Sequence, residues 1–206
     1  MWCGLYCLHF AFCILNYSSL DAQQLIDRVL ARVGTEAITL TDVRALVEFG
    51  VVEGKTATDP AAVQHVVDRQ LVLREVARFP PSEPQAAAVD QQLTTMKTRA
   101  GARLDEVMRA NGLDEVRVRA LARDTLRIRT YLEQRFGLAN QVSEDEARKY
   151  FEEHRDQFTR GGVQPSFEDV SAEARRRASE ARLQTAVTGW LQDLRVRSEV
   201  AMVTSP

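Results

Sequence analysis

Apolar side chains recur every three or four residues along most of the chain, the spacing that places them on one face of an α-helix. One helix is predicted from Pro60 to about Phe79, because Asp59 precedes a proline at the first helical position and Pro80-Pro81 prevents continuation. Its apolar face consists of Val63, Val66, Val67 and Leu71. Helices therefore dominate the predicted fold.

Residues that typically begin and end helices divide the rest of the chain. The hydroxyl of Thr41 is the predicted N-cap of the first helix and Gly54 its end, while Ser82 and Gln85 have the spacing of a capping box. The predicted helices run from Thr41 to about Glu53, from Ser82 to Ala100, from Leu104 to Ala110, from Asp114 to Phe136, from Ser143 to Phe158 and from Ser166 to about Arg197.

Short β-rich runs lie at both ends of this helical region. Residues 28–33 and 37–40 are separated by Gly34-Thr35-Glu36, a loop of hairpin length, and residues 199–203 indicate a closing strand. Because an isolated two-stranded hairpin is marginal in water, we expect the last strand to pair with it. The predicted fold class is therefore mostly α, a helical cradle with a small β-hairpin joined by a C-terminal strand.

The amino-terminal stretch is almost entirely apolar from Trp2 to Tyr17, and no charged side chain precedes Asp21. This run is shorter than the roughly 20 residues that cross a bilayer as a helix, and it suits the apolar region of a secretion signal. We predict a signal peptide over residues 1–22, with an uncleaved anchor as the alternative, and one domain over residues 23–206. The cysteines also lie in this stretch, at Cys3, Cys7 and Cys13.

The charge balance and the absence of catalytic motifs narrow the class of function. With 27 basic and 29 acidic residues, the chain has no strong general attraction for nucleic acid. The line Arg119, Arg123 and Arg127 is interpreted as a solvated outer helix face. His65 and His154 lack metal-ligand spacing, and we find no phosphate loop, serine elbow or cysteine nucleophile. We predict no enzyme activity, no cofactor and no metal.

Three stretches carry a family resemblance: residues 27–43, residues 67–77, and residues 165–203 with their Trp190-Leu191-Gln192-Asp193-Leu194 run. In this order they resemble the SurA-type periplasmic chaperones, whose substrate-binding module is shared with PpiC-like isomerases and trigger factor. The resemblance implies an opening hairpin with the first helix, then a second helix, and finally a terminal helix over residues 166–197 that packs back on the amino-terminal helices.

The resemblance also implies which part of the larger family members this chain lacks. In those proteins a parvulin-type prolyl isomerase domain lies between the helix that matches residues 143–158 and the terminal helix. Here only residues 159–165 separate the two, too few for a domain of roughly ninety residues. The implied function is that of an ATP-independent periplasmic holding chaperone, with unfolded or extended exported polypeptides such as outer-membrane proteins as its partners.

A holding chaperone needs apolar side chains exposed in a groove, and flexible methionine or aromatic side chains suit varied ligands. The candidate peptide-binding residues are Phe49, Met96, Met108, Tyr131 and Phe136. Periodicity does not distinguish this interpretation from a place in the core, because apolar residues that face a groove and those that face a core recur at the same spacing. Two alternatives stay open: a non-catalytic assembly subunit for one envelope protein, and a peptidyl-prolyl isomerase, for which the sequence indicates no pocket.

Overall fold

The computed structural model describes residues 27–137 and 141–203, so the signal peptide predicted over residues 1–22 lies outside the described residues. Helices occupy most of these two ranges. Two short strands precede the helices and a third follows them. The elements in chain order are β1 (Val29–Val33), β2 (Glu36–Thr39), α1 (Leu40–Glu48), α2 (Pro60–Arg78), α3 (Ala86–Ala100), a 3-10 turn (Gly101–Arg103), α4 (Leu104–Ala110), α5 (Glu115–Phe136), α6 (Glu144–Glu153), α7 (Arg155–Phe158), α8 (Phe167–Arg197) and β3 (Val200–Met202).

The strands form an antiparallel sheet in which β1 is central, in the order β2-β1-β3. The turn between β1 and β2 contains Gly34 at φ 60°, a left-handed conformation that favours glycine. On the other side of β1, Arg32 lies opposite Ala201 of β3. The predicted hairpin and its closing strand are confirmed, and the two ends of the described chain consequently lie side by side.

Helix α1 follows β2 without a loop because its capping box includes the last strand residue. The Thr39 hydroxyl accepts a hydrogen bond from the backbone N–H of Asp42 at 3.2 Å, and the Asp42 carboxylate accepts one from the N–H of Thr39 at 2.9 Å. The N-cap is therefore Thr39, and the prediction of Thr41 is wrong by two residues. The side chain of Asp42 decides this start, since a carboxylate at the third helical position completes the box.

Two further predicted helix limits are wrong. Helix α1 ends at Glu48 and not near Gly54, because Gly50 at φ 65° turns the chain out of the helix. Helix α3 has Gln85 as its N-cap in place of Ser82. The reason is Pro84, whose ring disfavours the helical conformation of the residue before it.

Arg127 does not belong to a purely solvated face, contrary to the prediction for the arginine line of α5. Its side chain is only 20% exposed, and its Nε lies 3.4 Å from a Glu83 carboxylate oxygen in the segment before α3. Arg119 pairs with Asp90 of α3 at 2.5 Å. These arginines therefore help to join α5 to the neighbouring chain segment.

Buried apolar side chains form three clusters within the described residues. The first cluster lies between the sheet, α2 and the carboxyl-terminal parts of α5 and α8. The second lies between the end of α1, α3, α4 and the first half of α5. The third lies between α6, α7 and the start of α8. Helix α8, about 46 Å long at 1.5 Å per residue, connects the first cluster to the third.

Aromatic contacts mark the two ends of α8. Near its carboxyl end, Trp190 packs against Tyr131 and Phe136 of α5, with ring centroids 6.0 and 5.5 Å apart. At its amino end, Phe167 packs against Phe151 of α6 at 5.9 Å. The predicted fold class, mostly helical with a small hairpin joined by a last strand, is confirmed. None of the helices in the described ranges combines the length and apolar character needed to cross a membrane.

Candidate functional site

A cavity of about 370 Å³ lies where β2, α1, α2 and the first part of α5 meet. Its volume falls within the range of about 300–1,000 Å³ that is common for ligand pockets. Apolar side chains form most of its wall, and charged side chains lie among them. The lining residues are Glu36, Ala37, Ile38, Asp42, Ala45, Leu46, Val66, Arg69, Gln70, Leu73, Leu113, Leu121 and Asp124.

The apolar wall consists of a packed floor and a more accessible side. Ile38 and Leu46 are members of the first core cluster and are 4% and 7% exposed, so they provide a rigid floor. Leu73, Leu113 and Leu121 also line the cavity and are half-buried. An apolar group that enters the cavity would therefore exchange water for aliphatic side chains that are already fixed by packing.

Arg69 is the cation of the cavity wall. This half-buried side chain of α2 reaches α5, where its Nη2 donates a long hydrogen bond of 3.5 Å to the carbonyl oxygen of Leu121. Burial lowers the pKa of Arg69, and the charge of Asp124 partly offsets that effect. Among the described residues, no carboxylate lies within ion-pairing distance of this guanidinium, which leaves donor N–H groups for a ligand oxygen.

Three carboxylates lie around the same cavity. Glu36 accepts a hydrogen bond from the amide of Gln70, Asp42 belongs to the capping box of α1, and Asp124 lies 3.7 Å from Arg127. Against these three acidic groups the cavity wall contributes a single guanidinium. Asp124 is balanced by Arg127, whereas Glu36 and Asp42 form no ion pair among the described residues, so the β2 side of the cavity is acidic.

The strand at the cavity has an unpaired edge. Strand β2 pairs with β1 on one side, and no strand of the described residues pairs with its other side. Ala37 in the middle of β2 is exposed and lines the cavity. An unpaired strand edge offers backbone donors and acceptors to another extended chain.

The structure places the predicted peptide-binding residues mostly inside the core. Phe49 and Met96 are 2% and 1% exposed in the second cluster, and Tyr131 is 6% exposed in the first cluster against Trp190. Little of these side chains is open to a ligand, although Phe49 and Met96 also line a second cavity of about 460 Å³ between the end of α1 and α3. Their peptide-binding role stays a prediction. Met108 and Phe136 are half-buried, but neither lines the cavity at β2.

The sequence did not predict which residues line the cavity at β2, although α2 contains one indication, a charged residue within an apolar stripe. Val66, Arg69 and Leu73 have the spacing of one helical face, so an arginine interrupts an apolar stripe of α2. An arginine in such a place needs a partner or a function. The contribution of α5 had no comparable signal, because it depends on which helices become neighbours in space.

The two histidines of the domain make local contacts. Nδ1 of His65 lies 3.1 Å from the carbonyl oxygen of Glu53, and Nδ1 of His154 lies 2.9 Å from that of Tyr150, on whose ring the imidazole stacks at 4.1 Å. No group of three or more potential metal ligands is present in residues 27–137 and 141–203. We take the cavity at β2 as the candidate binding site because it combines an apolar wall with an adjacent unpaired strand edge.

The chain matches no protein-family model, and no curated protein matches its sequence at a significant level. A functional proposal therefore has to depend on the geometry of the cavity and on the sequence pattern.

Proposed function

We propose that this protein is an ATP-independent holding chaperone of the periplasm, which binds unfolded or extended segments of exported polypeptides. The observation that carries the proposal is the apolar cavity beside the unpaired edge of β2. A cavity of this kind accepts an apolar side chain, and the strand edge accepts the backbone on either side of it. Both features suit an extended chain better than a small metabolite.

The expected affinity is modest. Burial of one large aliphatic or aromatic side chain stabilises a complex by about 1.5–3 kcal/mol, and part of this is lost to the ordering of the bound segment. Contacts of this strength break quickly. A holding chaperone needs such reversibility, because a client has to leave without ATP.

The connection between α7 and α8 supports holding without isomerisation. Residues 159–166 join the two helices through a tight turn in which Arg160 and Val163 bond to each other. Phe158 and Phe167 on either side of the turn belong to the same buried cluster. This short closed turn supports the proposal that the chain lacks the isomerase domain of the larger SurA-type proteins and acts without catalysis.

The location outside the cytoplasm is part of the proposal. It depends on the apolar run from Trp2 to Tyr17, which has the character of a secretion signal. Fractionation of expressing cells tests it, because recovery of the protein in the cytoplasmic fraction alone would contradict an envelope function.

Suppression of aggregation tests the proposed function. The purified protein, in molar excess over an unfolded outer-membrane protein, should lower light scattering after dilution from urea. Leu73→Gln should remove most of this effect by placing an amide in the cavity wall. Val116→Gln is the matched control, because Val116 is 76% exposed on α5 and does not line the cavity. Unchanged light scattering with the unaltered protein would overturn the proposal.

Crosslinking in the cell envelope distinguishes the proposal from its rivals. A heterogeneous set of captured polypeptides agrees with a holding chaperone, whereas a single stoichiometric partner would indicate an assembly subunit. Acceleration of proline isomerisation in a short peptide, lost when the protein unfolds, would indicate the isomerase instead.

A further inference from the structure

We infer that the cavity at β2 binds an extended segment as an added strand, and that it prefers an apolar residue separated by one position from a lysine or arginine. The inference rests on the proposed function and names its substrate class. It depends on the register of the sheet, on the face to which each β2 side chain belongs, and on the charge around the cavity.

The register identifies which backbone groups of β2 are unpaired. The N–H of Gly34 donates to the carbonyl oxygen of Glu199, and the N–H of Val203 donates to that of Leu30. Between Leu30 and Val33, after the irregularity in register between Val29 and Ala31, even-numbered residues of β1 therefore direct their backbone groups to β3, and odd-numbered ones direct theirs to β2. Their partners in β2 are Glu36, opposite Val33, and Ile38, opposite Ala31.

Ala37 is then the residue of β2 whose backbone faces away from the sheet. In an antiparallel pair the N–H and C=O of one residue point to the same side, and this side alternates along the strand. Because Glu36 and Ile38 bond to β1, both backbone groups of Ala37 point to the unpaired edge. A segment laid along this edge forms two hydrogen bonds with Ala37, and its side chains alternate between the two faces of the sheet.

The alternation of faces sets the spacing of the two recognised side chains. Glu36 and Ile38 share the face of the sheet that contains the buried Ala31 and Val33. A segment paired with Ala37 places one side chain beside Ile38, at the cavity floor, and places the side chain two positions away beside Glu36, about 6.6 Å along the strand. The residue between them points to the opposite face.

The charge around the cavity selects the second side chain. Glu36 accepts a hydrogen bond from the neutral amide of Gln70, and no cation of the described residues forms an ion pair with it. The guanidinium of Arg74 lies against Gly34 at the turn and is not paired with Glu36. Asp42, which forms no ion pair among the described residues, adds to the negative charge on this side of the cavity. A lysine or arginine beside Glu36 complements this charge, and a glutamate is repelled.

Short fluorescein-labelled peptides of identical composition test the inference by fluorescence anisotropy. One peptide carries Leu-Ala-Lys in its centre and the other Leu-Lys-Ala, which directs the lysine to the other face. We expect the first to bind about threefold to fivefold more tightly, a difference typical of a partly exposed ion pair, and to lose this preference at high salt. Glu36→Gln should remove the preference without abolishing binding.

A proline in the strand tests the added-strand geometry. Ala37→Pro removes the outward N–H and should weaken both peptides about tenfold, while proline is tolerated at strand edges. Met202→Pro is the matched control, because the same register directs the N–H of Met202 to the other edge of the sheet, away from the cavity. Circular dichroism shows whether either variant has lost its fold. If one has, the inference is judged by whether Glu36→Gln removes the preference between the two peptides.

The outcomes separate this inference from the proposed function. Equal affinity of the two peptides, together with normal suppression of aggregation, would overturn the inference and leave the holding function in place. Absence of both peptide binding and suppression would overturn the proposed function itself. A preference for the lysine peptide that Glu36→Gln leaves intact would also overturn the inference, since the selecting charge would then lie elsewhere.

Discussion

Arg195 near the end of α8 forms a two-point ion pair with Asp68 in α2, with Nε 2.7 Å from Oδ1 and Nη2 2.5 Å from Oδ2. The two side chains are 32% and 14% exposed, and Gln64 donates a further hydrogen bond to the same carboxylate. Partial burial and the fork geometry of arginine make this contact stronger than an ordinary surface pair. It attaches the last helix to the helix that packs on the sheet.

Arg195→Met should lower the free energy of unfolding by about 2 kcal/mol, because it leaves the carboxylate of Asp68 without its charged partner. Urea unfolding followed by the fluorescence of the buried Trp190 measures this loss. Arg176→Met is the control, since Arg176 and Glu180 form an exposed pair at 2.6 Å and its removal should cost about 0.5 kcal/mol or less. Equal effects of the two substitutions would contradict the prediction.

Two glycines should respond in opposite directions to alanine. A Cβ at Gly54 would lie 2.5 Å from the Cβ of buried Ala62, so Gly54→Ala should cost about 1–3 kcal/mol through overpacking. Gly189 lies within α8 with nothing within 4 Å of such a Cβ, so Gly189→Ala should stabilise the protein by about 0.5–1 kcal/mol. Thermal unfolding of both variants checks the signs, and a stabilising Gly54→Ala would be inconsistent with the close approach of α2.

Glu146 should contribute to stability only above acid pH. The backbone N–H of Ser143 lowers the pKa of Glu146 most, and the Ser143 hydroxyl and Arg182 lower it further. Because the pKa is lower in the folded state, the contribution is complete above the pKa of the unfolded chain and is lost as the pH falls through the folded value.

NMR titration of the Glu146 side chain checks this pKa shift. Ser143→Ala and Arg182→Met should each raise its pKa part of the way to the ordinary value, since the backbone N–H of residue 143 remains in both. A folded pKa at or above the ordinary glutamate value would show that the capping box does not form in solution.

Phe158→Ala should loosen one part of the molecule before the rest. Phe158 is 1% exposed and packs against Phe151 at 5.1 Å in the third cluster, so its loss should cost about 3–5 kcal/mol locally. Hydrogen exchange should accelerate in α6 and α7, while the amides of β1 stay protected. Phe49→Ala, in the second cluster, is the control and should leave α6 protected. Uniform acceleration would show instead that the three clusters unfold together.

Arg69→Met should leave the fold intact or make it more stable, by up to about 2 kcal/mol, because methionine keeps much of the apolar stem and removes a half-buried charge without an ion-pair partner. We expect peptide affinity to fall about tenfold, because methionine lacks the N–H groups that the cavity wall otherwise offers to an oxygen of the proposed segment. Denaturant titration and peptide anisotropy measure the two effects. A large loss of stability with unchanged binding would assign Arg69 a structural role.

Helix limits were predicted accurately where a cap residue or proline acts directly on the backbone at that position. Helix α2 has the predicted start at Pro60 and ends within one residue of the prediction, because Asp59 and the double proline act on the backbone directly. The end of α1 was wrong, because Gly50 stops that helix earlier than Gly54. Local chemistry therefore determined most of the helix limits.

The candidate site was less predictable for a physical reason. A stripe that faces a core and a stripe that faces a groove have the same spacing, so Phe49 and Met96 had the pattern of either. The difference depends on whether another element covers them, and that depends on contacts distant in sequence. Arg69 was the one cavity residue with a local signal, a charge within an apolar stripe.

The central position of β1 also has a consequence for the biosynthesis of the protein. Its partner on one side is built from residues near it in the chain, whereas its partner on the other side is β3, which follows α8 and is therefore synthesised much later than β1. Until residues 200–202 have emerged, β1 has an open flank that a foreign chain could occupy. A protein proposed to hold unfolded polypeptides is therefore itself exposed to foreign strand pairing during its own synthesis, until β3 covers this flank of β1.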